Sequence, residues 1–370
     1  MTLSRAIGLM SGTSLDGIDI AFVETDGKTQ VHLGAFATRP YSDPERRLLR
    51  AALDDARALT SSAARPGILP QAEAFLTRAH AEAVRTFCKT QAIDLASVDL
   101  IGFHGQTVLH RPETGLTVQL GDGQALSDEI GRPVVFDFRS ADVAAGGQGA
   151  PLVPVFHQAL AAGADLPAGV AFLNIGGVAN ATLLSAGSDL LACDTGPGNA
   201  LLDDFVLART GAPYDACGAL SAAGTPNEAL LLRWLAHPFF AVPPPKSLDR
   251  NAFDVSGVEN LSDADGAATL TAFTARAVAR LLAHVTTPPS LWIVCGGGAL
   301  NDTLLSFLGN ELNSEVRSSN EYRWDAGALE AQAFAFLAVR SARGLPLTYP
   351  GTTGVAHPLT GGRLVWPLSH

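Results

Sequence analysis

Residues 6 to 24 read AIGLM, SGTSLDG, IDIAFVE: two apolar runs of strand length joined by a turn that holds two glycines, three hydroxyls and one carboxylate in seven positions. Such a segment closes as a β-hairpin. The same order of strand, glycine turn and strand returns at GVAFLNIGGVANATLL, residues 169–184. Identity between the two segments is too low for a sequence repeat, but their shared pattern allows two similar lobes. Between and after them apolar runs alternate with helical patterns, so the expected class is α/β.

The other elements follow from periodicity. VHLGAF (31–36) supplies a third strand, and QAEAFLTRAHAEAVRTF (71–87) spaces Leu76, Val84 and Phe87 as an amphipathic helix. VDLIGFHGQT (98–107) is a strand ending in His104, Gly105, Gln106 and Thr107. LLACDTGPGN (190–199) runs from a strand into an acidic, glycine-containing loop. LTAFTARAVARLLAHV (270–285) and AGALEAQAFAFLAVRSA (326–342) read as helices, the latter with Glu330 near its start. Pro243, Pro244 and Pro245 mark a rigid connection before Lys246. The pattern changes near Gly131, which sets the expected first lobe at 1–134, completed by 350–370, and the second at 135–349.

Composition narrows the function classes. At 370 residues with 47% hydrophobic and 16% charged residues, the chain is long enough for two packed domains. A net charge of −11 argues against a generic nucleic-acid binder, which needs a basic footprint. It still allows a small anionic ligand held by backbone N–H groups. Cys88, Cys193, Cys217 and Cys295 form no CxxC, so neither a zinc site nor a disulfide framework is expected. No run approaches a membrane span and the first residues make no convincing export signal, so the expected setting is cytoplasmic, with no membrane partner.

Four glycine turns carry the chemistry: GTSLDG, NIGG, DTGPG and CGGG. None is a Walker A loop or a GxGxxG fingerprint. Each exposes consecutive N–H groups that could cradle phosphate oxygens. In the first, Ser11, Thr13 and Ser14 add hydroxyl donors and Asp16 could hold Mg2+ or its water shell. An ordinary hairpin explains any one of them alone; four together point to a nucleotide.

The segments GLMSGTSLDGIDIA, FHGQTVLHRP, VQLGDG, DFRSADVAAGGQGAPLVP, LNIGGVAN, DTGPGN, PPPKS, CGGGALN and LEAQAFAFLA occur in order from end to end. In them the chain resembles the anhydro-N-acetylmuramic acid kinase family, within the actin-like ATPase and sugar-kinase superfamily. The resemblance implies a two-lobed ribonuclease H-like fold with a central nucleotide and sugar cleft, ATP and Mg2+ as cofactors, and commonly a homodimer. It also implies the reaction: hydrolytic opening of 1,6-anhydro-N-acetylmuramic acid with phosphorylation of O6, giving N-acetylmuramic acid 6-phosphate in peptidoglycan recycling. The rivals are a kinase of the same superfamily acting on a different sugar, and a non-catalytic nucleotide-binding sensor.

Carried over by position, the resemblance implies a first phosphate loop at Gly12, Thr13, Ser14, Leu15, Asp16 and Gly17, running into Ile18 and Asp19. Asn174, Gly176 and Gly177 match the second loop, and Gly296, Gly297 and Gly298 lie on the nucleotide side. Asp194 resembles the general base, with Thr195 and Gly196 around it, although a turn-capping role fits the residues alone. His104, Gln106, Asp137, Arg139 and Glu330 are implied to line the sugar site. Arg139 could pair its planar guanidinium with the lactyl carboxylate. Asp137 either orients that arginine or fills a surface turn, and Glu330 either meets the sugar or compensates the helix dipole. His110 is expected to be structural or exposed. The chain departs from the family pattern at Leu248 and Asp249 and in the SSNEYRWDAG segment, where Trp324 either packs in the core or narrows the sugar site.

Overall fold

The computed structural model describes residues 2–12, 14–164, 166–167, 169–184, 190–248 and 252–368; Thr13 and Asp249, singled out above, lie outside them. The strands are β1 (Ser4–Ser11), β2 (Gly17–Thr25), β3 (Val31–Pro40), β4 (Leu100–Arg111), β5 (Leu116–Leu120), β6 (Val134–Phe136), β7 (Val170–Ile175), β8 (Val178–Leu184), β9 (Leu191–Pro197), β10 (Leu291–Cys295), β11 (Glu315–Ser318) and β12 (Arg363–Val365). They fall into two compact units, Met1–Asp165 with Ala328–His370, and Leu166–Gly327.

The first unit carries a sheet of order β12-β6-β4-β1-β2-β3, with β5 paired to β4. Strands β1, β2 and β3 form an antiparallel meander, while β4 and then β6 add parallel to β1 on its other side. In the second unit the order is β11-β10-β7-β8-β9, with β7, β8 and β9 antiparallel and β10 and β11 parallel. Both sheets therefore follow one topology, that of the ribonuclease H-like fold. The shared hairpin pattern read in the sequence is the first part of this architecture, built twice.

The units divide at Asp165 and Gly327, whereas the sequence reading set its boundaries at 134 and 349. Pairing explains the difference: β6 joins β4 in the first sheet, and the helix Leu329–Ala342 packs on β1, β2 and β4. Two glycines let it do so. A Cβ on Gly8 would lie 1.8 Å from the Ala331 carbonyl oxygen, and one on Gly102 would lie 2.1 Å from that of Phe334. The helix backbone thus rests almost directly on the sheet.

The helix Leu69–Thr90 buries Ala72, Leu76, Val84 and Phe87 in the core of the first unit, as its periodicity predicts. In the second unit the helix read from residue 270 begins at Asp263, where the Ser262 hydroxyl caps it by accepting from Asp265 N. Its Phe273 packs against Trp234, Phe240 and Phe253. Trp324 is buried and stacks on Phe172 with centroids 5.7 Å apart, which assigns it to the core. Among the described residues no helix is long and apolar enough to cross a membrane.

Candidate active site

In open sheets of this kind ligands gather beyond the carboxyl ends of the strands, where the chain order reverses. In the first sheet that point lies between β1 and β4. The turn after β1 begins at Gly12 and is closed by Leu15 N donating to Gly12 O at 3.2 Å. A Cβ on Gly12 would meet only Ser14, so its backbone can be approached closely. Ser14 and Asp16 are exposed. Leu15 and Ile18 are buried, and Gly17 packs against the Arg39 carbonyl, so these three anchor the turn. Asp19 accepts from Thr38 Oγ1 at 2.6 Å.

A buried network holds this turn from behind. Ser11 Oγ donates to Gln106 Oε1 at 2.6 Å, which leaves Tyr41 OH as the donor in the 2.9 Å contact to Ser11. Gln106 Nε2 donates to the carbonyls of Gly12 and Thr107. The Gln106 amide, expected to bind substrate, is fully buried and engaged with protein. Burial pushes the Tyr41 hydroxyl up to about 12, so it remains a donor. Tyr41 was not legible in the sequence as part of the site.

On the same strand His104 meets Arg139. Its Nδ1 donates to Gly105 O at 2.8 Å, leaving Nε2 to accept from Arg139 Nε and Nη2 at 3.2 and 3.0 Å. Arg139 Nη1 donates to Gly149 O at 2.6 Å. Burial lowers the arginine to about 10, against the opposing charges of Glu330 and Asp142. Of the five guanidinium N–H groups, three are engaged and two have no partner among the described residues. Glu330 keeps contact with solvent, yet the protein packed around it pushes its carboxyl above the ordinary glutamate range, and Arg139 only partly offsets this. Asp137, at φ 55°, lines a cavity of about 270 Å3 with His104, Gln119, Ser140 and Arg363. His110 stands beside Gly149 at the edge of this group, its Nδ1 3.0 Å from Thr117 Oγ1, and Arg139 acts on it electrostatically.

In the second unit Asp194 sits on β9, half-buried. Leu248 N donates to its Oδ2 at 2.7 Å, and Asp194 N donates to Lys246 O at 3.0 Å. Burial pushes the carboxyl up to about 6, with the Leu248 N–H opposing. Its other oxygen has no protein partner among the described residues. Because Leu248 acts through its main chain, the departure at that position keeps the contact. Lys246 is buried, donating to Phe239 O at 3.0 Å over the Phe239 ring, and so anchors this loop. Thr195 Oγ1 turns inward to Ala179 O, and a Cβ on Gly196 would collide with Ala277, so both shape the loop.

The remaining glycine turns meet at the reversal point of the second sheet, where β7 and β10 run side by side. Asn199 N donates to Gly176 O and its Nδ2 to Ile175 O. Gly296 packs against the Asn174 side chain and Gly298 against Ile175, while a Cβ on Gly176 or Gly177 would make only ordinary contacts, with Val178 O at 3.9 Å and Ala200 Cβ at 3.7 Å. Beside Gly297 a cavity of about 340 Å3 is lined by Tyr214, Cys217, Leu300 and Asn301. Tyr214 and Leu300 are more than half exposed, an apolar surface that the sequence reading missed. Among the described residues no three His, Cys, Asp or Glu side chains form a metal cage.

The sequence profile of the anhydro-N-acetylmuramic acid kinase family matches residues 4–366. Proteins named anhydro-N-acetylmuramic acid kinase are 57% identical in Methylobacterium nodulans, over 97% of this chain and 98% of the relative, and 56% identical in Azorhizobium caulinodans, over 98% and 99%. Among solved structures, component A of (R)-2-hydroxyglutaryl-CoA dehydratase from Acidaminococcus fermentans is 12% identical over 92% of this chain and 99% of its own, with a TM-score of 0.46, a likeness too slight to bear on function.

Proposed function

From a chain that belongs to the anhydro-N-acetylmuramic acid kinase family, and is therefore a kinase, we propose the following reaction: it opens 1,6-anhydro-N-acetylmuramic acid with water and phosphorylates O6 at the expense of ATP. The observation that carries this reading is Asp194, a half-buried carboxylate raised to about 6, with one oxygen fixed by Leu248 and the other without a protein partner among the described residues. Asp194 takes a proton from water as the water oxygen bonds to C1. The C1–O6 bond breaks, and the freed O6 attacks the γ-phosphorus, releasing ADP. A base with this pKa is ionised at neutral pH and still basic enough to accept the proton.

The other residues supply binding. Uncrowded backbone at Gly12, Gly176 and Gly177 suits phosphate oxygens, and the surface of Tyr214 and Leu300 beside Gly297 suits the nucleotide base. The two remaining Arg139 N–H groups suit the lactyl carboxylate, and Glu330 the sugar hydroxyls. Mg2+ commonly binds through one or two carboxylates together with substrate phosphates, and the exposed Asp16 at the turn fits that requirement. When bound there it would neutralise phosphate charge. A homodimer working in the cytoplasm belongs to the same reading, and light scattering on the purified protein tests the oligomeric state.

The reaction is tested by supplying Mg-ATP and the anhydro sugar in 18O-labelled water. Label in the C1 hydroxyl with phosphate on O6 is the expected product. Phosphorylation without label in the sugar would favour a plain sugar kinase, and nucleotide binding without product a sensor. Asp16→Asn is expected to lower turnover in a magnesium-dependent way while shifting stability by no more than about 0.5 kcal/mol, since Asp16 has no packing role. Unchanged turnover across a magnesium titration would remove Asp16 from the metal's surroundings.

A further inference from the structure

We propose that His104 and Gln106 are positioning residues with separate duties: Gln106 sets the phosphate turn through Ser11 and Gly12, and His104 sets the guanidinium of Arg139. Neither acts as a ligand. The assignment rests on the kinase reading above for what the turn and Arg139 hold, and on geometry for the rest.

The device begins with a bulge. Along β1 and β4, Leu9 pairs with Phe103 and Ser11 with Gln106, so β4 carries one extra residue in this stretch. Gly105 absorbs it at φ 72°, where a Cβ would lie only 2.4 Å from the Leu120 carbonyl oxygen. Bulges re-aim the side chains beside them. On one side of Gly105 the Gln106 amide makes three hydrogen bonds, two of them to Ser11 and Gly12 at the start of the turn. On the other side the His104 ring lies 4.5 Å from the Phe334 ring, its Nδ1–H bonded to Gly105 O, and its free lone pair receives two N–H groups of Arg139.

That lone pair must stay unprotonated, since an imidazolium would present an N–H to a guanidinium. Burial first, and then Arg139, hold the His104 pKa well below its usual value. Arg139, Gly105 and Phe334 pack against it, His80 acts on it electrostatically, and Asp137 lines the same cavity but makes no hydrogen bond to it among the described residues. His104 is therefore an acceptor throughout the working range. Gln106 and His104 share the rigid segment around Gly105, but their hydrogen bonds run to different groups.

Separate duties give separable defects. His104→Leu, which removes the acceptor, is expected to raise KM and Kd for the anhydro sugar about 10-fold while changing the Kd of ADP less than about twofold. His104→Gln, whose amide oxygen can accept from Arg139, should recover much of the loss. Gln106→Leu should weaken ADP about 10-fold and lower kcat, with the sugar Kd nearly unchanged. If Gln106→Leu does not fold, Tyr41→Phe removes only the hydroxyl that donates to Ser11 and should give a smaller defect of the same kind. Calorimetric titration of each ligand, with thermal unfolding of each variant, reads both arms. Equal weakening of both ligands in either variant, or no rescue by glutamine, would overturn the proposal. Failure of the wild-type protein to phosphorylate the anhydro sugar would overturn the substrate instead, and the ADP arm would still test Gln106.

Discussion

Asp194→Asn is expected to lose at least about 10²-fold in kcat and at the same time to resist unfolding better than the wild type at neutral pH. The two effects have one cause. Burial raises the carboxyl from 3.8 to about 6, so ionising it costs more in the folded chain than in the unfolded one. For a carboxyl raised in this direction the penalty is absent below pH 4, grows between pH 4 and 6, and is complete above 6. Asparagine removes it, a gain on the order of 1–3 kcal/mol at pH 7 that should vanish near pH 4. The amide oxygen can still accept from Leu248 N, so the loop is retained, but the side chain no longer accepts a proton from water. Wild-type kcat should accordingly fall below about pH 6. Denaturant unfolding at pH 4 and 7, beside a pH–rate profile, checks both halves. Stability lost at pH 7 would mark Asp194 as a structural cap, and full activity would remove it from catalysis.

The parts of this molecule that are written locally were legible. β1, β2, β7 and β8 follow from apolar runs around glycine turns, and the helices from their spacing of Leu, Ala and Phe. Asp194 stood out as a candidate because a carboxylate at a strand end next to glycines is a local signal. The support around the site was not. Ser11 and Gln106 touch across 95 residues, and nothing in either segment announces that β4 lies beside β1. That the Gln106 amide is buried and bonded to Ser11, Gly12 and Thr107 cannot be seen from HGQT. The lobe boundary was misplaced for a related reason: the change of pattern near Gly131 is local, whereas membership in a sheet is decided by pairing β6 with β4. Leu248 read as a departure because the sequence displays side chains, while the contact with Asp194 uses its main chain. Tyr214 and Leu300 look like ordinary apolar residues until the fold leaves them exposed beside Gly297.

Gly8 gives the other large effect, and it runs from packing to catalysis. In a strand a glycine is usually a weakness, since it adds no side chain to the core and loses more freedom on folding. Here a methyl group at Gly8 would have to share space with the Ala331 carbonyl oxygen and Ala335 N, backbone atoms of the helix Leu329–Ala342 that cannot rotate aside. The helix would have to lift from the sheet, carrying Glu330 in its first turn away from Arg139. Gly8→Ala is therefore expected to destabilise the first unit by about 3 kcal/mol, at the upper end of the usual range for overpacking, and Gly8→Val to prevent its folding. In the alanine variant that remains folded, kcat should fall by at least about 10-fold, since misplacement by about 1 Å can cost 10²-fold. ADP affinity at the glycine turns of the second unit should change far less. Urea unfolding together with kcat and ADP titration separates these effects. An alanine variant with wild-type stability would show that the helix does not rest on Gly8, and lost stability with unchanged kcat would show that the seat of Glu330 does not matter to the reaction.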